Sequence, residues 1–303
     1  MSVRRSARLL ALPLVALVAA AGCGGSSGGK QSVSTQNSPG ASASVDSAAA
    51  ALLPASVKSK GSLTVAADAS YAPNEFIGTD GKTVEGMDAD LAAALGKVLG
   101  VKVTVENQSF DSIIPGIVDG KYDLGMSSFT DNKTREKQVD FVDYFVAGTS
   151  FFVKANGGPK VNTLADLCGL SVSVEKGTTQ QDDATAQSGK CTKAGKKKVS
   201  VSVFPDQSGA NLALSSGKVQ VSMADSPVAA YQVKQSNGQF ALSGQAYGTA
   251  PYGIACTKGT GLDNAILAAL KDVMASGTYT QILDKWGIQS GAITTPTING
   301  ATS

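Results

Sequence analysis

Histidine is absent from all 303 residues. Imidazole general bases, Ser-His-Asp triads and nearly every His-containing transition-metal site are therefore excluded. Cysteine occurs only 4 times, and no spacing resembles a metal knuckle. Aromatic residues make up 6% of the chain, which is thin for a cage of rings around a quaternary ammonium. A surplus of one charge sign is missing too: 26 Lys and Arg face 24 Asp and Glu. No positive field tracks a phosphate backbone, so a nucleic-acid role is not expected. Nor is any metal, cofactor or catalytic residue. What is present, 42% hydrophobic residues, 17% charged residues and 34 glycines, describes a globular body with many tight loops.

Arg4, Arg5 and Arg8 precede an apolar run at 9–21, interrupted by Pro13 and too short to cross a bilayer as a permanent helix. The run ends in Ala20-Ala21-Gly22-Cys23, which resembles the bacterial lipobox, with Ala20 where Leu is usual. This reading makes 1–22 a lipoprotein signal peptide and Cys23 the lipidated mature N-terminus. An ordinary cleavage site with an incidental cysteine is the other reading. The pair Arg4 and Arg5 faintly resembles a twin-arginine signal, but the residues after it fit poorly. From 24 to about 44 the chain is Gly, Ser, Ala, Gln and Pro without an aromatic, so it cannot bury enough surface to offset its ordering entropy. Residues 23–52 thus read as the lipidated Cys and a flexible tether, with a short helix at 46–53 before Pro54. In an exported chain, Cys168 and Cys191, on either side of a polar, loop-rich stretch, are expected to form a disulfide. Cys256, within the apolar run 252–256, reads as a buried thiol.

Period-two apolar runs predict strands at 63–67, 101–105, 122–127, 170–174, 199–204 and 219–224. Helical spacing falls between them. Leu91, Leu95, Val98 and Leu99 share a face, with Asp88 and Asp90 in the first turn where the helix dipole favours them. Ile113, Ile114, Ile117 and Val118 make a second apolar face, and 210–214 a third. Alternating strands and helices imply α/β layers with mainly parallel sheets. GKYDLGMSS (120–128) and GKVQVSMAD (217–225) share Gly, Lys and Met in register, and each follows a strand, a polar turn and a short helix. Two similarly built lobes, about 97 residues apart, are the expectation. Ligands in open α/β sheets gather beyond the carboxyl ends of strands. Ser127, Ser128 and Asp225 would therefore face a cleft between the lobes.

That cleft suits an amino-acid zwitterion. A carboxylate is best held by a planar guanidinium with oriented N–H or hydroxyl donors, and an ammonium by a carboxylate. SSFTDNKTR supplies Ser127, Ser128, Thr130 and Arg135. EKGTTQ places Thr178 and Thr179 at a helix start, a ready anion site. Asp225 ends a strand, with Ser226 and Pro227 opening a helix. Taken singly, Arg135 reads as a solvated charge, Asp225 as a lead-in to a helix, Thr178 and Thr179 as a capping turn, and Tyr71 and Phe110 as core aromatics.

Taken in order, the motifs resemble the bacterial extracellular solute-binding proteins of the polar amino-acid uptake group. They are ADASYAP (67–73), GMDADLAAALGKVLG (86–100), FDSIIPGI (110–117), SSFTDNKTR, GTTQ (177–180), the strand end at Asp225 and GTYTQILDKWGI (277–288). Met87 and Ala89 depart from the family signature. The resemblance implies a periplasmic-binding-protein-like type II fold: two α/β lobes, joined by two crossover strands, with a ligand cleft between them. Lobe 1 would comprise 53–149 plus 251–290, lobe 2 150–250, and the C-terminal tail 291–303. By motif position, Arg135 would clamp the α-carboxylate with the Thr130 amide and with Thr179, next to Thr178. Asp225, assisted by Ser128, would take the α-ammonium. Tyr71 and Phe110 would sandwich the side chain, with Asp68 and Ser127 at its far end. Hinges would lie near 147–150 and 247–250. The implied protein is a monomeric receptor on the outer face of the cell membrane. It would hand a polar or cationic L-amino acid to an ABC permease with its ATPase subunits. The alternatives are an extracellular sensing module acting through partner proteins and, on the same fold, a dehydratase or lyase.

Overall fold

The structure is a computed structural model and describes residues 44–302. The signal segment 1–22 and Cys23 lie outside the described residues. The described chain opens with helices α1 (Ser47–Ala51) and α2 (Ala55–Lys60), then strand β1 (Ser62–Ala67). A small antiparallel sheet follows, formed by β2 (Ser70–Tyr71), β3 (Glu75–Ile77) and β4 (Val84–Glu85). Helix α3 (Met87–Leu99), β5 (Lys102–Asn107), α4 (Phe110–Val118) and β6 (Leu124–Gly125) complete the first half. The long strand β7 (Val139–Lys154) leads to β8 (Ser171–Glu175), α5 (Thr179–Lys193), β9 (Ser200–Phe204), α6 (Gln207–Ser215), β10 (Val221–Asp225) and α7 (Ser226–Gln235). The equally long β11 (Phe240–Thr257) runs back to α8 (Leu262–Ala275) and α9 (Thr278–Trp286).

The main sheet has the order β5-β1-β6-β11-β7-β10-β8-β9. Outward from the antiparallel pair β11 and β7, each half repeats one plan: its third strand, then its first, then its second, all parallel. The sequence echo at 120–128 and 217–225 falls on the third strand of each half, β6 and β10. Two lobes of the type II periplasmic-binding-protein fold result, and β7 and β11 are the two crossover strands. Their pairing is irregular between Ser243 and Ala250, where register shifts fall at Tyr247.

Each lobe has its own core. In lobe 1, Leu91, Leu95, Val98 and Leu99 of α3 pack with Leu63 and Val65 of β1 and with Ile266 and Leu270 of α8. Each such side chain contributes roughly 1.5–3 kcal/mol when fully buried. Helix α3 begins at Gly86, at φ 128°, where a Cβ would strike the Asn74 carbonyl oxygen, and it stops at Gly100 in the left-handed region. In lobe 2, Val172, Val174, Val221 and Met223 pack with Phe151 of β7.

Three expectations need correction. The short helix expected at 46–53 is present as α1, but it is not part of a flexible tether: Asp46 caps it through its carboxylate, and Ala49 and Leu53 are buried against lobe 1. The strand expected over 122–127 is paired only at Leu124 and Gly125, because the chain beyond turns into the cleft. The stretch between Cys168 and Cys191 is mostly helix, since Thr178 caps α5 and its small and polar residues carry little apolar periodicity for a sequence reading to find. The C-terminal segment is tied to lobe 1. Thr297 and the Gly300 amide donate to Asp143, and the Ala301 amide donates to Asp131.

Cys168 and Cys191 are bonded, with Cα atoms 5.6 Å apart, which ties the approach to β8 to the last turn of α5. Among the described residues Cys256 is the free thiol, and it is buried. Closing this loop contributes about 3 kcal/mol by chain entropy. Denaturant unfolding of Cys168→Ser with Cys191→Ser should show a stability loss of about that size; an unchanged midpoint would refute it.

Candidate functional site

Strand ends build the site, as the parallel plan of each lobe requires. β1 delivers Asp68, β6 delivers Ser127 and Ser128, β8 ends in Glu175 before the Thr178 cap, and β10 ends in Asp225 at the start of α7. The ten candidate residues Asp68, Tyr71, Phe110, Ser127, Ser128, Thr130, Arg135, Thr178, Thr179 and Asp225 line one cavity. Glu75, Glu175 and Gln180 line it too, and the space between the atoms, open solvent at its mouth included, is about 290 Å³.

Arg135 follows the loop after β6. Its guanidinium carbon lies 5.3 Å from the ring centres of both Phe110 and Phe129, which stack on each other at 4.5 Å. Nη1 donates to the Thr130 carbonyl at 2.8 Å, and Nη2 donates to the Gly177 carbonyl of the other lobe at 3.1 Å. Burial lowers its pKa to about 10, so it remains a cation at neutral pH. Phe110 thus packs under the Arg135 guanidinium as well as lining the cavity. Thr178 caps α5, accepting from the Gln181 amide and donating to the Glu175 carbonyl. Thr179 is the first residue of that helix, where free amides and the dipole favour an anion.

Asp225 is held by neutral donors. Tyr252 donates to Oδ2 at 2.7 Å, and Gln180 Nε2 to Oδ1 at 2.6 Å. Its amide donates to the hydroxyl of Tyr71 in lobe 1 at 2.9 Å, so the lobes already touch at this point. Burial raises the carboxyl to about 6 despite the Tyr252 and Gln180 bonds. An arriving ammonium would restore full ionisation.

A second group of carboxyls lies along the wall. Asp68 accepts from the amides of Ser70 and Phe110, and its own amide donates to Ser127. Ser127 and Ser128 both donate to Glu75, at 3.3 and 3.1 Å. Ser128 also accepts from Asn74 and sits at φ 51°, a conformation rare for a residue with a Cβ, pinned by these bonds. Its hydroxyl is therefore engaged with Glu75. Burial is the first cause that raises Asp68, Glu75 and Glu175; Asp88 then adds repulsion at Glu75, and Asp68 at Glu175. Glu175 Oε1 is buried with no hydrogen-bond partner among the described residues. Such a cluster favours a ligand cation.

Glu75, Glu175, Gln180, Phe129 and Tyr252 escaped the sequence reading. Glu75 left one trace, a charged residue directly before Phe76 and Ile77 in a short hairpin. Glu175 left another, an acidic end to the alternating run SVSVE. Tyr252 reaches the site from β11, more than 100 residues after β6, and left none.

The fold and cavity define a two-lobed solute-binding protein. A family model described as bacterial extracellular solute-binding proteins, family 3, matches residues 63–289, and the chain belongs to that family. It is 31% identical over 250 residues to the arginine-binding protein ArgT of Corynebacterium glutamicum, covering 82% of each chain. A solved ancestral arginine-binding protein, bound to arginine, is 38% identical with a TM-score of 0.69; the match covers 75% of this chain and 98% of that one. A solved ancestral amino acid-binding protein, described as a precursor of cyclohexadienyl dehydratase, is 34% identical with a TM-score of 0.68, covering 76% and 97%. Among the described residues no helix is long and apolar enough to cross a membrane.

Proposed function

We propose that this chain binds an L-amino acid with a cationic side chain and presents it to an ABC importer. The observation that carries the reading is the imbalance of the cavity: one guanidinium, Arg135, against Asp68, Glu75, Glu175 and Asp225. Arg135 takes the α-carboxylate together with the Thr179 start of α5, and Asp225 takes the α-ammonium. Tyr71 and Phe110 flank the side chain, whose charged end meets Asp68, Glu75 and Glu175. Ser127 and Ser128 orient Glu75 rather than touching the ammonium. The arginine-binding relatives support the choice of a cation.

Carboxylate and ammonium partners come from both lobes, so bound ligand favours the closed form through contacts the open form lacks. The lobes, 53–149 with 251–290 and 150–250, turn about the irregular pairing near 147–150 and 247–250. Lipid on Cys23 anchors the protein to the outer face of the membrane, where a monomer meets the permease. Micromolar affinity needs about 8 kcal/mol, within reach of several charge-assisted bonds of roughly 1.5–3 kcal/mol each. Binding proceeds without turnover: no His is present, and Asp225 paired with an ammonium stays ionised. Calorimetry of the mature chain against the twenty amino acids, ornithine, citrulline and betaine should show arginine, lysine or ornithine binding tightest. Preference for a neutral or acidic amino acid would refute the reading.

A further inference from the structure

Five carboxyl groups around the cavity, Asp68, Glu75, Asp88, Glu175 and Asp225, are each at most 7% exposed. Two of them converge on a single residue. The Ser128 hydroxyl donates to Glu75 Oε2 at 3.1 Å, and the Ser128 amide donates to Asp88 Oδ2 at 3.0 Å. The remaining Asp88 oxygen accepts from the Tyr144 hydroxyl at 2.7 Å, and the remaining Glu75 oxygen from Ser127. All these donors are neutral. The ionisable groups that face the pair are Asp68 beyond β1, Tyr71 on β2 and Tyr144 on β7, and none of them brings positive charge. Two buried carboxyls this close, without a cation, do not ionise together.

We propose that Glu75 and Asp88 hold one proton between them in the free protein and release it when a side-chain cation enters, so that the pair favours cationic over neutral amino acids and couples binding to pH. The inference rests on the ligand reading given above. The carboxyl O–H bond breaks, the proton passes to solvent, and the carboxylate left behind pairs with the incoming guanidinium or ammonium. Nothing is oxidised or reduced. Burial raises Glu75 well above the ordinary carboxylate range and Asp88 to about 6, in line with a shared proton. The free protein binds the proton more tightly than the complex does, so affinity rises with pH between the two pKa values and falls on acidification. Each released proton makes the slope about tenfold per pH unit.

Asp225 at the ligand's α-group and Asp68 and Glu175 beside its side-chain end are the other carboxyls raised by burial, so the loss of a proton on changing Glu75 or Asp88 is what assigns it to the pair. Titration calorimetry of the mature chain with L-arginine at pH 5.5, in three buffers of different ionisation enthalpy, separates the cases. Release of more than one proton per arginine is expected, falling by about one in Glu75→Gln. Asp88→Asn serves as the second variant and should show the same loss. One proton or fewer from the wild type overturns the proposal without need of a variant, as does a count that Glu75→Gln leaves unchanged. Failure to bind arginine or lysine at all would be a different result, overturning the ligand reading and this inference with it.

Discussion

Arg135→Ala is expected to weaken amino-acid binding by about 3–5 kcal/mol, at least 150-fold, because it leaves a buried ligand carboxylate without its cation. The fold should survive. Arg135 is half-buried, donates only to two backbone carbonyls, and leaves the Phe110 and Phe129 stack in place when truncated. The thermal midpoint without ligand should therefore move little, while the shift that arginine produces should vanish. Arg135→Lys should not rescue binding, since a single ammonium cannot fork to a carboxylate or pack as a plane against the Phe110 and Phe129 rings. Unchanged arginine affinity in Arg135→Ala would remove the clamp from the mechanism.

Asp225→Asn is expected to cost a similar 3–5 kcal/mol for any ligand with an α-ammonium. The change is nearly isosteric but inverts the hydrogen-bond logic. Tyr252 and Gln180 both donate to Asp225, so an amide there would point its NH2 group at one donor or the other. The discriminating ligand is 5-guanidinopentanoate, which has arginine's carboxylate and guanidinium but no amino group. Its binding should be as strong in the variant as in the wild type, or stronger. Equal losses for arginine and for the deaminated analogue would mean that Asp225 shapes the cavity and does not contact the ammonium.

The fold was legible where apolar spacing is regular. α3 announces itself through Leu91, Leu95, Val98 and Leu99, and the two third strands through a shared Gly, Lys and Met. The candidate site was legible only through the order of its motifs, since Arg135, Asp225 and Thr178 each suit an unremarkable surface or cap. Glu75 and Glu175 stayed hidden because a buried carboxyl is spelled like an exposed one; only packing tells them apart. Helix α5 was legible only at its Thr178 and Thr179 start, because the residues beyond carry no apolar stripe to mark its length. Tyr252 joins Asp225 through the pairing of β11 with β7, a contact between segments that no local pattern links.

The central strand β7 has a consequence for biogenesis. One edge of its lobe 1 portion waits for β11, about a hundred residues further on, and Val142 and Asp143 wait for residues 297–300. Contacts this distant in sequence form slowly and only once the partners have been synthesised. Until those partners have been synthesised, the lobe 1 portion of β7 lacks its contacts on both edges, so the first lobe cannot complete its sheet ahead of the segments that follow the second.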